Sequence, residues 1–93
     1  MQRTIGDYID SLPAAYRLQR RIPCTLRQSG KSMVASFRRA NISTSGETRT
    51  GAMDNLKSLI LDVYDMLSRE PKAKLGPEPA RQLQVLQKYI SKE

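Results

Sequence analysis

The hydrophobic pattern of the chain is clearest between Met53 and Leu67, where apolar side chains recur every three or four residues. They are Met53, Leu56, Leu59, Ile60, Val63, Tyr64 and Leu67. This spacing places them along one face of an α-helix. Thr48 precedes the pattern as a candidate N-cap, and Pro71 stands where the helix must already have ended. The sequence therefore predicts a long amphipathic helix over Gly51–Glu70.

Upstream of this helix, apolar and polar residues alternate instead. The alternation runs through residues 22–28, pauses at Ser29-Gly30, and resumes through residues 32–38. A period of two with a tight reversal between its halves predicts a β-hairpin. The alternative is a helix that begins at Ser32, because several apolar residues of the second segment also fit helical spacing.

Three shorter elements complete the predicted fold. Residues 42–44, with two β-branched side chains, predict a short third strand before Gly46. Pro79 suits the first turn of a C-terminal helix over Pro77–Ile90. Four apolar residues near the N-terminus predict a short helix that ends near Pro13, namely Ile5, Tyr8, Ile9 and Leu12.

Together these elements predict one α+β domain, in which a small antiparallel β-sheet, a hairpin plus a short third strand, is covered by one long helix. Its segments are an N-terminal helical segment (1–15), a core (16–70), and a linker with an additional C-terminal helix (71–93). Chains of 93 residues bury only roughly 60–65% of their unfolded surface, so we expect a homodimer. No apolar run approaches the ~20 residues that cross a bilayer. Asp7 and Asp10 interrupt any signal peptide, which predicts a cytoplasmic protein without membrane contact.

The composition argues against an enzyme. The chain has no His and one Cys, so it lacks Ser-His and Cys-His nucleophile pairs, and one thiol cannot build a zinc site. Cys24 falls on the core side of the first hairpin strand and is predicted to be a buried free thiol. The carboxylates of Asp54, Asp62 and Asp65 fall on the solvent side of the long helix. We therefore expect no catalytic site, no cofactor and no metal.

Positive charge is the strongest functional signal. Of a net charge of +7, residues 1–50 carry +6. Arginine dominates there, and its planar guanidinium pairs bidentately with phosphate or carboxylate groups. An anionic partner is therefore predicted, either RNA or DNA or an acidic protein surface, although a basic surface also serves solubility alone. The candidate binding residues are Arg17, Arg21, Arg27, Lys31, Arg38 and Arg39.

Several residues also follow a known family pattern. Val34-Ala35-Ser36-Phe37 ends the hairpin, Gly46-Glu47-Thr48 closes the third strand, and Ala52 and Asn55 open the helix three residues apart. With this order and spacing, residues 22–67 resemble the HicB family of antitoxin domains. In this pattern the Gly permits a positive φ at the exit from the sheet, the Thr caps the helix, and the Ala allows close approach.

The resemblance implies a non-catalytic binding module that acts by occluding a partner protein, a small basic toxin of the HicA kind that attacks RNA. Arg38 stands where the family usually has Pro, and the tail from Lys72 has no helix-turn-helix or ribbon-helix-helix for binding DNA. Two other functions remain open. One is a small basic nucleic-acid-binding protein that uses the Arg-rich hairpin face, and the other is an orphan dimerisation or scaffold domain.

Overall fold

The computed structural model describes residues 3–92, so residues 1, 2 and 93 of the predicted terminal segments lie outside it. The fold is α+β, with a four-stranded antiparallel sheet, a two-stranded sheet and two helices. The elements in chain order are β1 (Thr4–Ile9), β2 (Tyr16–Leu18), β3 (Ile22–Ser29), β4 (Ser32–Phe37), β5 (Ile42–Gly46), α1 (Arg49–Arg69), α2 (Pro77–Gln87) and β6 (Ile90–Lys92). The strand orders are β1-β3-β4-β5 and β2-β6.

The predicted hairpin is confirmed as β3 and β4, and the alternative helix from Ser32 is wrong. The two strands are antiparallel, with Thr25 opposite Ser36. Gly30 in the turn has a φ of 60°, a left-handed conformation that glycine adopts without steric cost. The third strand is also confirmed, and it is longer than predicted because it continues to Gly46.

The predicted N-terminal helix is wrong, because these residues form strand β1. Ile5 and Ile9 are four residues apart, a spacing that fits one helix face and equally one face of a strand. The β-branched isoleucines and Gly6 disfavour a helix, whereas β1 pairs with β3 along its whole length. The main sheet therefore has four strands rather than three, with β1 at one edge.

Helix α1 packs on one face of this sheet and supplies one wall of the core. Its fully buried side chains are Ala52, Leu56 and Ile60, which lie in one cluster with the sheet residues Leu26 and Phe37. These two side chains lie on the inner face of the hairpin. The predicted cap is also confirmed, because the Thr48 hydroxyl accepts a hydrogen bond of 3.0 Å from the Gly51 N–H.

The C-terminal helix is shorter than predicted. It ends at Gln87, and residues 90–92 form β6, which pairs with β2. The buried Tyr89 ring between these elements packs edge-on against Phe37, with 5.3 Å between the ring centroids. This contact ties the C-terminal segment to the main core. None of the helices within residues 3–92 has the length and apolar character to span a bilayer.

Side chains occupy backbone groups on both edge strands of the main sheet. On β1, the Asp7 carboxylate accepts a hydrogen bond of 2.7 Å from the Tyr8 N–H. On β5, the Asn55 side-chain amide donates a hydrogen bond of 2.9 Å to the Ser45 carbonyl. An unprotected edge would offer these groups to another strand.

Candidate binding surface

The helices cover only one face of the four-stranded sheet. Because side chains alternate along a strand, the register assigns every second residue of each strand to the other face, which we call the open face. Its strand positions are Thr4, Gly6, Tyr8, Pro23, Thr25, Arg27, Ser29, Ser32, Val34, Ser36, Ser43 and Ser45. None of these side chains is buried and none is acidic. The open face is therefore a flat, hydroxyl-rich surface with positive charge at its ends.

An aromatic side chain and an arginine stack at one end of the open face. The Tyr8 side chain is 48% exposed. The guanidinium carbon of Arg21 lies 4.3 Å from the centroid of the Tyr8 ring, within cation–π range. Sequence reasoning missed this tyrosine because it assigned Tyr8 to a helix. The alternation of Ile5, Asp7 and Ile9, with Tyr8 on the opposite side, is the signal that identifies it.

A shallow groove of about 200 Å³ lies beside this stack. Pro23, Thr25, Ser36 and Arg38 are among the residues that line it. Arg38 begins a short 3₁₀ turn, Arg38–Ala40, that α2 holds in place. In α2, the Arg81 guanidinium donates a hydrogen bond of 2.6 Å to the Arg39 carbonyl, and the Gln82 side-chain amide donates one of 2.7 Å to the Ala40 carbonyl. The backbone that carries Arg38 is therefore well anchored.

The six predicted binding residues do not form one patch. Arg21 and Arg38 lie at the same end of the open face, on either side of Pro23. Arg27 is also on this face, but it is four residues from Pro23 along β3, or about 13 Å at ~3.3 Å per residue. Lys31 lies in the hairpin turn.

The two remaining predicted residues serve other parts of the structure. The Arg39 guanidinium donates a hydrogen bond of 2.9 Å to the Tyr89 hydroxyl, so it supports the C-terminal segment as well as lining the groove. Arg17 belongs to the two-stranded sheet, where it pairs with Ser91. Of the six predicted residues, Arg21 stacks on Tyr8 and Arg38 lines the groove at the Pro23 end of the open face.

The solvent side of α1 forms a second exposed surface. Asp54, Ser58, Asp62 and Met66 are spaced four residues apart and are all exposed; we call them the outer helix face. Met66 has 57% of its surface exposed. This face combines two carboxylates with one apolar side chain, and its charge is opposite to that of the open face.

Asp65, which was predicted to face solvent, instead joins α1 to the two-stranded sheet. Its carboxylate accepts a hydrogen bond from the Tyr16 hydroxyl and lies 3.0 Å from the Lys92 Nζ. The Tyr16 hydrogen bond, followed by Lys92, lowers the pKa of Asp65. The same hydrogen bond raises the pKa of Tyr16, because the carboxylate disfavours a phenolate beside it. This group of three side chains is structural.

A groove of about 310 Å³ separates β1 from α1 and contains charges of both signs. Asp7 forms an ion pair with Arg49 at 3.0 Å. The hydrogen bond from the Tyr8 N–H, followed by that from Arg49, lowers the pKa of Asp7. An ionised, paired carboxylate is poorly suited to act as a general acid or base near neutral pH.

Cys24 is buried as predicted. Its side chain is 4% exposed, and its Sγ lies 3.4 Å from the Ile22 carbonyl oxygen. Burial raises the pKa of the Cys24 thiol to about 11. Because the thiolate is the nucleophilic form, a thiol with this pKa is unreactive at neutral pH.

The junction between β5 and α1 explains the residue pattern noted in the sequence. A Cβ atom on Gly46 would lie 2.5 Å from the Ala52 backbone nitrogen, so only glycine fits. The expectation of a positive φ at Gly46 is wrong, since Gly30 is the glycine with that conformation in residues 3–92.

In comparisons with protein-family models, curated proteins and solved structures, none matches this chain.

Proposed function

We propose that this chain is a non-catalytic binding module similar to the HicB-type antitoxin domain, which acts in the cytoplasm by binding and occluding a partner protein. The observation that supports this proposal is the β5–α1 junction. Three contacts meet there: Gly46 against Ala52, the Thr48 cap, and Asn55 on the Ser45 carbonyl. The residues that carry the resemblance thus act on one structural feature, which supports treating them as a single motif.

The outer helix face is the surface on which we place the protein partner. A small basic toxin of the HicA kind would be repelled by the arginines of the open face and attracted by Asp54 and Asp62. Met66 adds an exposed, flexible apolar side chain of the type that adapts to a protein partner. The basic residues of α1 are Arg49 and Arg69 at its two ends and Lys57 between them. Lys57 is half-buried in the groove beside β1.

Growth rescue tests this proposal with the product of the adjacent reading frame, which should be a small, basic, His-containing protein. Expression of that product alone should arrest growth, and co-expression of this chain should restore it. The double variant D62K/M66K should abolish rescue and leave the melting temperature nearly unchanged, because both side chains are exposed. E47K reverses an exposed charge that lies before α1, outside the outer helix face, and serves as the control.

Two results would contradict the proposal. One is the absence of toxicity or binding for the adjacent product. The other is full rescue by D62K/M66K. Sedimentation equilibrium tests the third function considered, a dimerisation domain. A homodimer that D62K/M66K converts to monomer would assign the outer helix face to a second copy of this chain instead.

A further inference from the structure

We propose that the open face binds single-stranded nucleic acid, with an unpaired base stacked on the Tyr8–Arg21 pair and phosphate groups held by Arg21 and Arg38. This inference does not rest on the antitoxin-like proposal, because the outer helix face lies on the other side of the molecule. It also gives a role to part of the positive charge that is concentrated in residues 1–50.

The Tyr8 ring provides the stacking surface. Nearly half of the side chain is exposed, and Arg21 stacks on it at 4.3 Å. The guanidinium of Arg21 adds a second planar group to the ring. Aromatic rings and guanidinium planes both stack on bases without regard to sequence, since every base has a π-face. A base can therefore continue the existing stack.

The electrostatics of the open face favour an anionic polymer. Its strand positions carry no Asp or Glu, and Arg21 and Arg38 flank Pro23 at the end that holds Tyr8. The groove there has hydroxyl groups from Thr25 and Ser36 beside Arg38. Hydroxyl and guanidinium groups together are common ligands of backbone phosphates.

The groove is shallow and opens onto the flat face, so a ligand held in it can extend across that face. A phosphate or sugar fits there while the rest of the strand continues across the flat face. Arg27 and Lys31 extend the positive charge in that direction, towards the hairpin turn.

The same geometry favours unpaired over paired strands. In a duplex the faces of the bases are covered by their neighbours, so stacking on Tyr8 would require the duplex to open. Reading a duplex through its major groove requires a protruding helix or ribbon. The open face presents neither, because its side chains are mostly short Ser and Thr residues.

Fluorescence anisotropy with labelled oligo(U) and oligo(dT) of about 12 nucleotides tests the proposal. We expect both single strands to bind more tightly than a duplex of the same length, with affinity falling steeply as salt rises. Tyr8→Ala should weaken binding about tenfold with an unchanged salt slope, whereas Tyr8→Phe should retain it. Arg21→Gln and Arg38→Gln should each lower the salt slope by about one.

Arg69→Gln is the matched control, since it removes the same charge at the far end of α1 and should leave the affinity unchanged. The difference between oligo(U) and oligo(dT) reports whether the 2′-hydroxyl contributes. Equal binding of duplex and single strands, or full affinity in Tyr8→Ala, would overturn the stacking site. Equal affinity for polyglutamate through the same arginines would overturn the choice of nucleic acid and indicate an acidic protein partner.

Discussion

Replacing Gly46 with alanine tests the close contact between sheet and helix more directly than any other single change. The added Cβ would lie 2.5 Å from the Ala52 backbone nitrogen, 2.8 Å from the Gly51 carbonyl carbon and 2.9 Å from the Ala52 Cα. All three atoms are backbone, so no side-chain rotation can relieve the contact. The first turn of α1 must move away from β5, or the strand must end earlier.

The cost follows from the kind of atoms that collide. Forcing extra atoms into a packed site typically costs about 1–3 kcal/mol, and rigid backbone neighbours place Gly46→Ala near the upper end, at about 3 kcal/mol. For a domain of this size, that corresponds to a fall in melting temperature of about 12–24 °C. It is a large share of the ~5–10 kcal/mol expected for the whole chain.

Two glycine variants provide matched controls in the same thermal unfolding experiment, followed by circular dichroism. Gly6→Ala in β1 meets no atom within 4 Å and should raise stability by about 0.5 kcal/mol. Gly30→Ala also has space, but its φ of 60° should cost about 1 kcal/mol. A Gly46→Ala protein that melts with the parent would refute the close approach and, with it, the physical basis of the motif.

Three further predictions concern the core, the Asp65 group and the thiol. Ile60→Ala should cost about 2–5 kcal/mol in denaturant unfolding because Ile60 is fully buried, while Met66→Ala should change stability by no more than about 0.5 kcal/mol. The lowered pKa of Asp65 means that its stabilisation is present above the usual carboxyl pKa of 3.8 and is lost as pH falls through the lower folded value. In a plot of melting temperature against pH, Asp65→Asn should therefore show a smaller fall at acid pH than the parent protein. Equal falls in the two proteins would contradict the contact between Asp65 and Tyr16. Cys24 should react with a thiol reagent at neutral pH only as fast as the protein unfolds, so rapid labelling of the folded protein would exclude its burial.

The long helix was predicted correctly because its periodicity has no competitor, whereas the second hairpin strand also fitted a helix from Ser32. Helix α1 has 21 residues and repeats its apolar pattern from Met53 to Leu67, too long for chance agreement with a strand. The β3–β4 hairpin combines alternation with a glycine in its turn. In both cases the buried face can be identified residue by residue, as Leu26, Phe37 and Leu56 show.

The errors arise where a segment is short. β1 has six residues, and its two isoleucines fit either period, so only pairing with β3 decides between helix and strand. β2 and β6 have three residues each and depend entirely on one another. Long-range pairing of this kind leaves almost no local signal in the sequence. For the same reason, the sequence-based prediction extended the C-terminal helix over the residues that form β6.

The binding surface shows the same dependence. The arginines near one another in sequence are spread by the register over both ends of the open face and a second sheet. Tyr8 and Arg21, thirteen positions apart, come together because β1 pairs with β3. Charge composition therefore predicted the type of partner, whereas the sheet topology was needed to identify which side chains meet.

The hydrogen bonds at Tyr8 and Ser45 also affect how the protein behaves at high concentration. Asp7 and Asn55 each occupy a backbone group that a strand of another molecule would need in order to extend the sheet. Both side chains are near the surface, so their loss can leave the melting temperature of the monomer little changed and still promote aggregation. These two contacts therefore affect solubility in a way that a stability measurement on dilute protein does not detect.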